Sequence, residues 1–242
     1  MNQQMMEIVS NELIASKTYR MVLKGDLSCY DRPGKFMNIA IEGKYLRRPI
    51  SVSDVYDDKA VIIYKTVGEG TKWLSEQPVG KKLDVLNGLG NGFDVSKEYP
   101  LIVAGGLGVA PVYGLAKQLD NPIVVLGFRS KEDMFLVDEF EKISSSLYVC
   151  TNDGSYGERG FVTDVMVEEG LLDMNYYCCG PLVMMKQVRN LSNGEGEISL
   201  EERMGCGFGA CMGCSCKVKT KPYKRICVEG PVLSSDEVII NG

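Results

Sequence analysis

Short apolar runs separated by turn-forming residues mark the N-terminal part of the chain. Residues 19–23, 36–41, 60–64 and 83–86 are four such runs, with Gly, Pro and Asp between them. From Ile8 to about Lys97 few stretches are long enough for a helix, so the rhythm predicts a compact antiparallel barrel. From Tyr99 the pattern changes. Strand-like runs at 101–104, 123–126, 147–150 and 176–179 alternate with helical candidates at 111–119, 132–143, 162–168 and 182–190. That alternation predicts a doubly wound parallel sheet with crossover helices. Beyond about Gly194 comes a tail rich in glycine and cysteine, with too few apolar positions for a core of its own. It is expected to need a bound metal to fold. The expected fold class is therefore β plus α/β, with an antiparallel barrel over 1–97, an α/β domain over 98–194 and a small cysteine-rich domain over 195–242.

Composition narrows the classes of function. Over 242 residues, 45% are hydrophobic and 24% charged, the make-up of a soluble globular protein. The net charge of −5 is spread without a long single-sign run, so neither a nucleic-acid surface nor a polybasic membrane anchor is expected. The residues after Met1 have no basic and apolar leader pattern, and the stretch 101–116 is broken by glycines and a proline, short of the ~20 residues of a membrane span. A cytoplasmic location is the expectation. The absence of histidine excludes a His general base, a Rieske centre and a histidine-ligated haem or zinc in this chain. There are nine cysteines, five of them from Cys206 onward, which points to a metal site rather than a disulfide framework.

Those cysteines carry the sharpest motif. Cys206-x4-Cys211-x2-Cys214-x12-Cys227 matches the spacing of a plant-type [2Fe–2S] loop. Such a loop needs backbone N–H groups close to sulfur, and Gly205, Gly207, Gly209 and Gly213 permit that approach. Cys216 is the spare thiol. A zinc site or simply buried thiols are the alternatives, although zinc ribbons pair two short C-x2-C hooks and only one is present.

A second motif is a glycine turn. Gly105-Gly106-Leu107-Gly108-Val109-Ala110-Pro111 follows a strand and precedes a helix, where a pyrophosphate can meet backbone N–H groups. Gly106 and Gly108 fit G-x-G-x-x-G, while Pro111 stands in place of the third glycine and suits a first helical turn. An ordinary structural turn is the alternative. The loops Thr151-Asn152-Asp153-Gly154-Ser155 and Cys178-Cys179-Gly180-Pro181 belong to the same sheet edge, where open α/β folds bind ligands. Asp153 would repel a 2′-phosphate and so favours NAD over NADP, with Arg129 the opposing signal. Cys178 reads as a buried strand residue better than Cys179 does.

In the barrel region Arg48-Pro49-Ile50-Ser51 and Gly68-Glu69-Gly70-Thr71 would, alone, be a surface arginine and a hairpin turn. Their order with the glycine turn and Cys179-Gly180-Pro181 resembles the ferredoxin–NADP reductase superfamily. The resemblance implies that Arg48 and Ser51, with Pro49 and Ile50 between them, hold FAD. It also implies that Ile63, Tyr64 and Lys65 line the isoalloxazine, that Gly70 and Thr71 sit on the pyrophosphate, and that Cys179 approaches the nicotinamide. Adding Leu89-Gly90-Asn91-Gly92-Phe93, the runs 153–157 and 199–211, and Cys227-Val228-Glu229-Gly230-Pro231-Val232 narrows the likeness. It then resembles the electron-transfer subunits of type B dihydroorotate dehydrogenase over essentially the whole chain. Met212-Gly213 departs from the bulkier pair of many relatives.

That resemblance implies a flavin-binding barrel, a nucleotide domain and an iron–sulfur domain carrying FAD, NAD and a [2Fe–2S] cluster. It further implies a separate FMN-containing catalytic subunit that oxidises dihydroorotate in pyrimidine biosynthesis, in a heterotetramer of two plus two, docked near Phe208 and Met212. Small subunits of NADH-dependent ferredoxin–NADP oxidoreductases and sulfide dehydrogenases share most of these motifs. A free-standing NADH oxidase or ferredoxin reductase, and a non-catalytic redox-sensing or zinc-stabilised module, are the readings from other classes.

Overall fold

The computed structural model describes residues 2–240. Six strands build the N-terminal unit: β1 (Asn2–Ala15), β2 (Thr18–Lys24), β3 (Phe36–Ile39), β4 (Arg48–Tyr56), β5 (Lys59–Lys65) and, after helix α1 (Glu69–Ser75), β6 (Lys82–Leu89). They close into an antiparallel barrel in the order β1-β2-β5-β4-β3-β6. β1 makes closure possible because it serves two neighbours: Asn2 to Glu7 pair with β6, and Glu7 to Ala15 pair with β2, with two register shifts along the second half. Alternate residues such as Met6, Ile8, Met21, Leu23, Met37 and Ile39 fill the interior. The glycine-rich segment read as a turn at Gly68–Thr71 is instead the entry to α1, whose Leu74 is fully buried.

The second unit runs β7 (Leu101–Gly105), α2 (Val109–Ala116), β8 (Ile123–Phe128), α3 (Val137–Glu141), β9 (Ser146–Thr151), β10 (Glu158–Arg159), α4 (Val162–Glu168), β11 (Tyr176–Cys179), α5 (Leu182–Leu191) and β12 (Gly196–Ser199). The tail adds β13 (Ser215–Cys216), β14 (Lys224–Arg225), α6 (Ile226–Glu229) and β15 (Val232–Ser234). One sheet has the order β10-β9-β8-β7-β11-β12-β15, parallel throughout except for β15, which is antiparallel to β12. Its central strands are apolar on both faces, as a covered parallel sheet requires. Leu101, Val103, Val125 and Cys178 pack beneath α4 and α5, whereas Ile102, Ala104, Val124 and Leu126 pack beneath α2 and α3.

Two expectations shift here. The sheet continues past residue 194, since β12 and β15 belong to it. The tail also has no need of a core of its own: Leu200, Met204, Cys214, Ile226, Cys227 and Leu233 share the apolar cluster of Leu101, Val103 and Val125. The helix expected at 132–143 shrinks to a 3-10 turn at Lys131–Asp133 and the short α3, because Phe135 turns in against Phe128 and Leu136 adopts φ 60°. By contrast, α4 occupies the expected 162–168.

Polar contacts fix the barrel to the sheet. Lys65 pairs with Asp133 at 2.7 Å and Lys117 with Asp54 at 2.8 Å. Asn91, just beyond β6, receives a hydrogen bond from Val232 N at 3.1 Å and donates to the Val232 carbonyl at 2.7 Å. Two of the runs that carry the family resemblance, 89–93 and 227–232, therefore meet in space.

Candidate functional site

Three sites adjoin one another. The first is a cleft of about 280 Å³ between the barrel and the start of α2. Its walls include Arg48, Pro49, Ile50 and Ser51 from β4, Ile63, Tyr64 and Lys65 from β5, Thr71 from α1, and Ala110 and Pro111 from α2. Gly70 lies behind Arg48, and a Cβ there would stand 2.5 Å from Arg48 Nε, so only glycine lets the guanidinium lie over this helix entry. Thr71 Oγ1 accepts from Val67 N at 3.0 Å and Gly68 N at 3.3 Å, closing the first turn of α1. The Tyr64 hydroxyl donates to Asn11 Oδ1 at 2.8 Å, which ties the cleft wall to β1. The sequence motifs assigned none of Phe36, Leu200, Glu201, Glu202, Met204 and Pro231 to this cleft, although they complete its lining. Residues 200–204 and Pro231 lie in runs that carry the family resemblance, and 200–204 also follow the last parallel strand, at the ligand-binding edge of the sheet.

The second cleft, about 600 Å³, opens at the carboxyl ends of β7, β8, β9 and β11. Gly106, Arg129, Asn152, Phe161, Pro181 and Met184 are among its walls. Lys65 and Leu107 line both clefts, so the two share a boundary at one lysine and one leucine. Gly108 is buried beneath, where a Cβ would stand 2.4 Å from the Cys179 carbonyl; it permits the close approach of α2 to the end of β11. Pro111 sits in the first turn of α2, where a missing N–H costs nothing. Asp153 stands outside the cleft walls. Its carboxylate accepts from Ser155 N at 3.0 Å and Ser155 Oγ at 2.6 Å, which hold it below the usual carboxylate range. Cys179 is 1% exposed, and burial, with Glu201 and Cys178 alongside, pushes its thiol well up. It is a neutral thiol buried beneath Gly108, outside the walls of both clefts, rather than a nucleophile.

The third site is the cysteine loop. Among the described residues no three His, Cys, Asp or Glu side chains converge to hold a single metal ion. The four thiols instead form two pairs, Cys206 with Cys211 and Cys214 with Cys227. A tetrahedral zinc needs four ligands around one point. Two pairs suit two irons with two thiolates each, so the donor set fits a [2Fe–2S] cluster. The sulfurs also accept backbone N–H groups: Cys206 Sγ from Ala210 at 3.2 Å and Cys211 at 3.4 Å, Cys211 Sγ from Gly213 at 3.5 Å, and Cys214 Sγ from Cys227 at 3.5 Å. Burial opposes ionisation of Cys206, yet N–H groups from Phe208 and Cys211 lower its thiol to about 6. Cys214 and Cys227 are buried and Cys211 is exposed, so one pair faces the core and the other the surface. Cys216 lies apart on β13, half-buried, with its thiol raised by burial.

Known proteins share this arrangement. A family model described as the iron-sulfur cluster binding domain of dihydroorotate dehydrogenase B matches residues 201–239, and an oxidoreductase NAD-binding domain matches 102–190. The dihydroorotate dehydrogenase B (NAD(+)) electron transfer subunit of Fusobacterium nucleatum is 44% identical, over 96% of this chain and 97% of that protein. Its Bacillus pumilus counterpart is 40% identical over 100% of both. Among solved structures, a chain of the NADH-dependent reduced ferredoxin-NADP oxidoreductase, studied for flavin-based electron bifurcation, superposes with a TM-score of 0.88 at 31% identity. The match covers 98% of this chain and 90% of that one. Phthalate dioxygenase reductase shares the fold, with a TM-score of 0.66 at 18% identity over 89% of this chain and 86% of that one. With full-length relatives of this identity and a cysteine loop of this geometry, the chain belongs to the family of dihydroorotate dehydrogenase B electron transfer subunits.

Proposed function

We propose that this chain carries electrons from a dihydroorotate-oxidising catalytic subunit to NAD, through a [2Fe–2S] cluster held by Cys206, Cys211, Cys214 and Cys227 and an FAD held in the barrel cleft. The contiguity of the three sites supports this reading best: Lys65 and Leu107 separate the two clefts, and the cysteine loop packs against the strand next to Pro49 and Ser51. Bound flavin supplies the exchange between two-electron chemistry at nicotinamide and one-electron steps at iron.

The protein's part is to bind, orient and exclude water. Arg48 supplies a fixed cation and Ser51 a hydroxyl at the mouth of the barrel cleft, while Ile63 and Tyr64 give it an apolar wall. Gly70 and Thr71 shape the entry for the pyrophosphate. Gly106 borders the nicotinamide side, whereas Ala110 and Pro111, expected there from the glycine turn, line the barrel cleft, and Asp153 stands one residue from the wall of the larger cleft at Asn152. Cys179, neutral and buried at the end of β11, packs beneath Gly108 and lines neither cleft. No side chain has to act as a base, in keeping with the absence of histidine.

The partner would carry FMN, in an assembly of two plus two in the cytoplasm; no helix among the described residues is long and apolar enough to cross a membrane. The test is anaerobic co-expression with the catalytic subunit. FAD, iron and sulfide bound to this chain and dihydroorotate-dependent reduction of NAD are the expected results. The 31% identity to a ferredoxin-NADP oxidoreductase chain favours a second reading. Ferredoxin-dependent turnover with no dihydroorotate activity would select it.

A further inference from the structure

Strand β3 faces two ways. Met37 and Ile39 point into the barrel core, so by alternation Phe36 and Asn38 point out of it. Both are nevertheless buried, at 3% and 0% exposure. The tail covers them. Phe36 joins the apolar cluster of Cys214, Ile226 and Cys227, and Asn38 Nδ2 donates to the Cys206 carbonyl at 3.3 Å. Gly207 closes on the same carboxamide: a Cβ there would stand 2.4 Å from Asn38 Nδ2, and its φ of +80° favours glycine.

The other side of Asn38 belongs to the barrel cleft. Asn38 is paired with Pro49, and Phe36 with Ser51, across β3 and β4. Pro49 and Ser51 both line that cleft. The Asn38 carbonyl accepts from Arg47 Nη1 at 3.4 Å, and Arg47 in turn pairs with Asp84 at 2.6 Å, which fixes the strand from behind. Asn38 Oδ1 has no partner among the described residues. A buried carboxamide that satisfies only its donor is costly, and an aliphatic side chain would avoid the cost. Stability therefore gives no reason for asparagine at this position.

We propose that Asn38 is a positioning residue: it ties the first cysteine of the cluster loop to the strand beside the flavin cleft and thereby sets the separation between cluster and flavin. The proposal rests on the reading that both groups bind this chain. Asn38→Ala and Asn38→Leu, made in the full chain with its catalytic partner, test it. Both remove the unpaired acceptor, so the barrel should fold and retain FAD, with NADH–dye turnover at the parental rate. Iron should pass to a chelator about 5-fold faster, the ratio set by one lost hydrogen bond. The EPR spectrum of the reduced cluster should shift, and reduction of the cluster by NADH should slow on the order of 10-fold, as misplaced redox partners do. Gly207→Ala, which presses on the same carboxamide, should lose part of its effect in the Asn38→Ala background. Unchanged chelation, EPR spectrum and cluster reduction in both variants overturn the proposal. Loss of FAD together with iron in both overturns it too, by assigning Asn38 to barrel stability. A parental protein without flavin or iron brings down the functional reading first, and this proposal with it.

Discussion

The sulfurs of Cys206 and Cys211 receive backbone N–H groups near the surface, while Cys214 and Cys227 are buried against the shared core. Those differences set the expected outcome of single substitutions. Cys→Ser at any of Cys206, Cys211, Cys214 or Cys227 should lose iron and sulfide, whereas Cys216→Ser, half-buried on β13, should retain both. Iron and sulfide analysis with the visible spectrum checks this, and a full complement of iron in the Cys227→Ser protein would show the ligand set to be wrong. The spacing of these cysteines made the set legible in the sequence, because the ligands lie within one short segment. Asp153 was legible only as a charge. Its capture of the Ser155 N–H and hydroxyl is a turn geometry that residue order does not reveal.

At the scale of elements, the loops after β8 and β9 bring Arg129 into the wall of the larger cleft and leave Asp153 beside it. NAD(H) should be preferred over NADP(H) by ~1–3 kcal/mol, the size of a coupling between close charges. Asp153→Asn should narrow that preference and Arg129→Ala should widen it, as read from kcat/KM in diaphorase assays with both nucleotides. A lower KM and equal turnover with NADPH in the parental chain would reverse the assignment. The alternating pattern foretold β7, β8, β9, β11, α4 and α5 because each is a regular run with its own period. β12 and β15 were missed. They are short, and only their neighbours in the sheet make strands of them. α1 was read as a turn because glycines surround its entry, although Leu74 anchors it in the barrel core.

For the molecule as a whole, the shared core bears on what metal removal does. Chelating the iron should loosen the loop 205–213, seen as faster hydrogen exchange, while β12 and β15 keep their protection because they are sheet strands. Equal loss of protection at 232–234 would show that the tail folds only around its metal. Assembly is decided at the same scale. Phe208, Met212 and Val228 are exposed at 48%, 53% and 43% beside the cysteine pair that faces the surface. Phe208→Asp should weaken docking of the catalytic subunit by on the order of 2 kcal/mol, about 30-fold in Kd. FAD content and NADH–dye activity should stay intact. Normal assembly of that variant, with dihydroorotate-dependent NAD reduction at the parental rate, would place the docking face elsewhere.

Residue order by itself determined the barrel-then-sheet architecture and the four cysteines, since periodicity and short spacings act over neighbouring residues. That 48–51 and 63–65 belong to one site was implied only by the family resemblance, and the two segments do line one cleft. Tertiary structure alone decided how the parts join. Lys65 and Leu107 become a common boundary of two clefts, Asn91 meets Val232, and Asn38 reaches the Cys206 carbonyl. Each of these links residues far apart in the chain, and such contacts exist only once the barrel has closed and the tail has packed against the sheet.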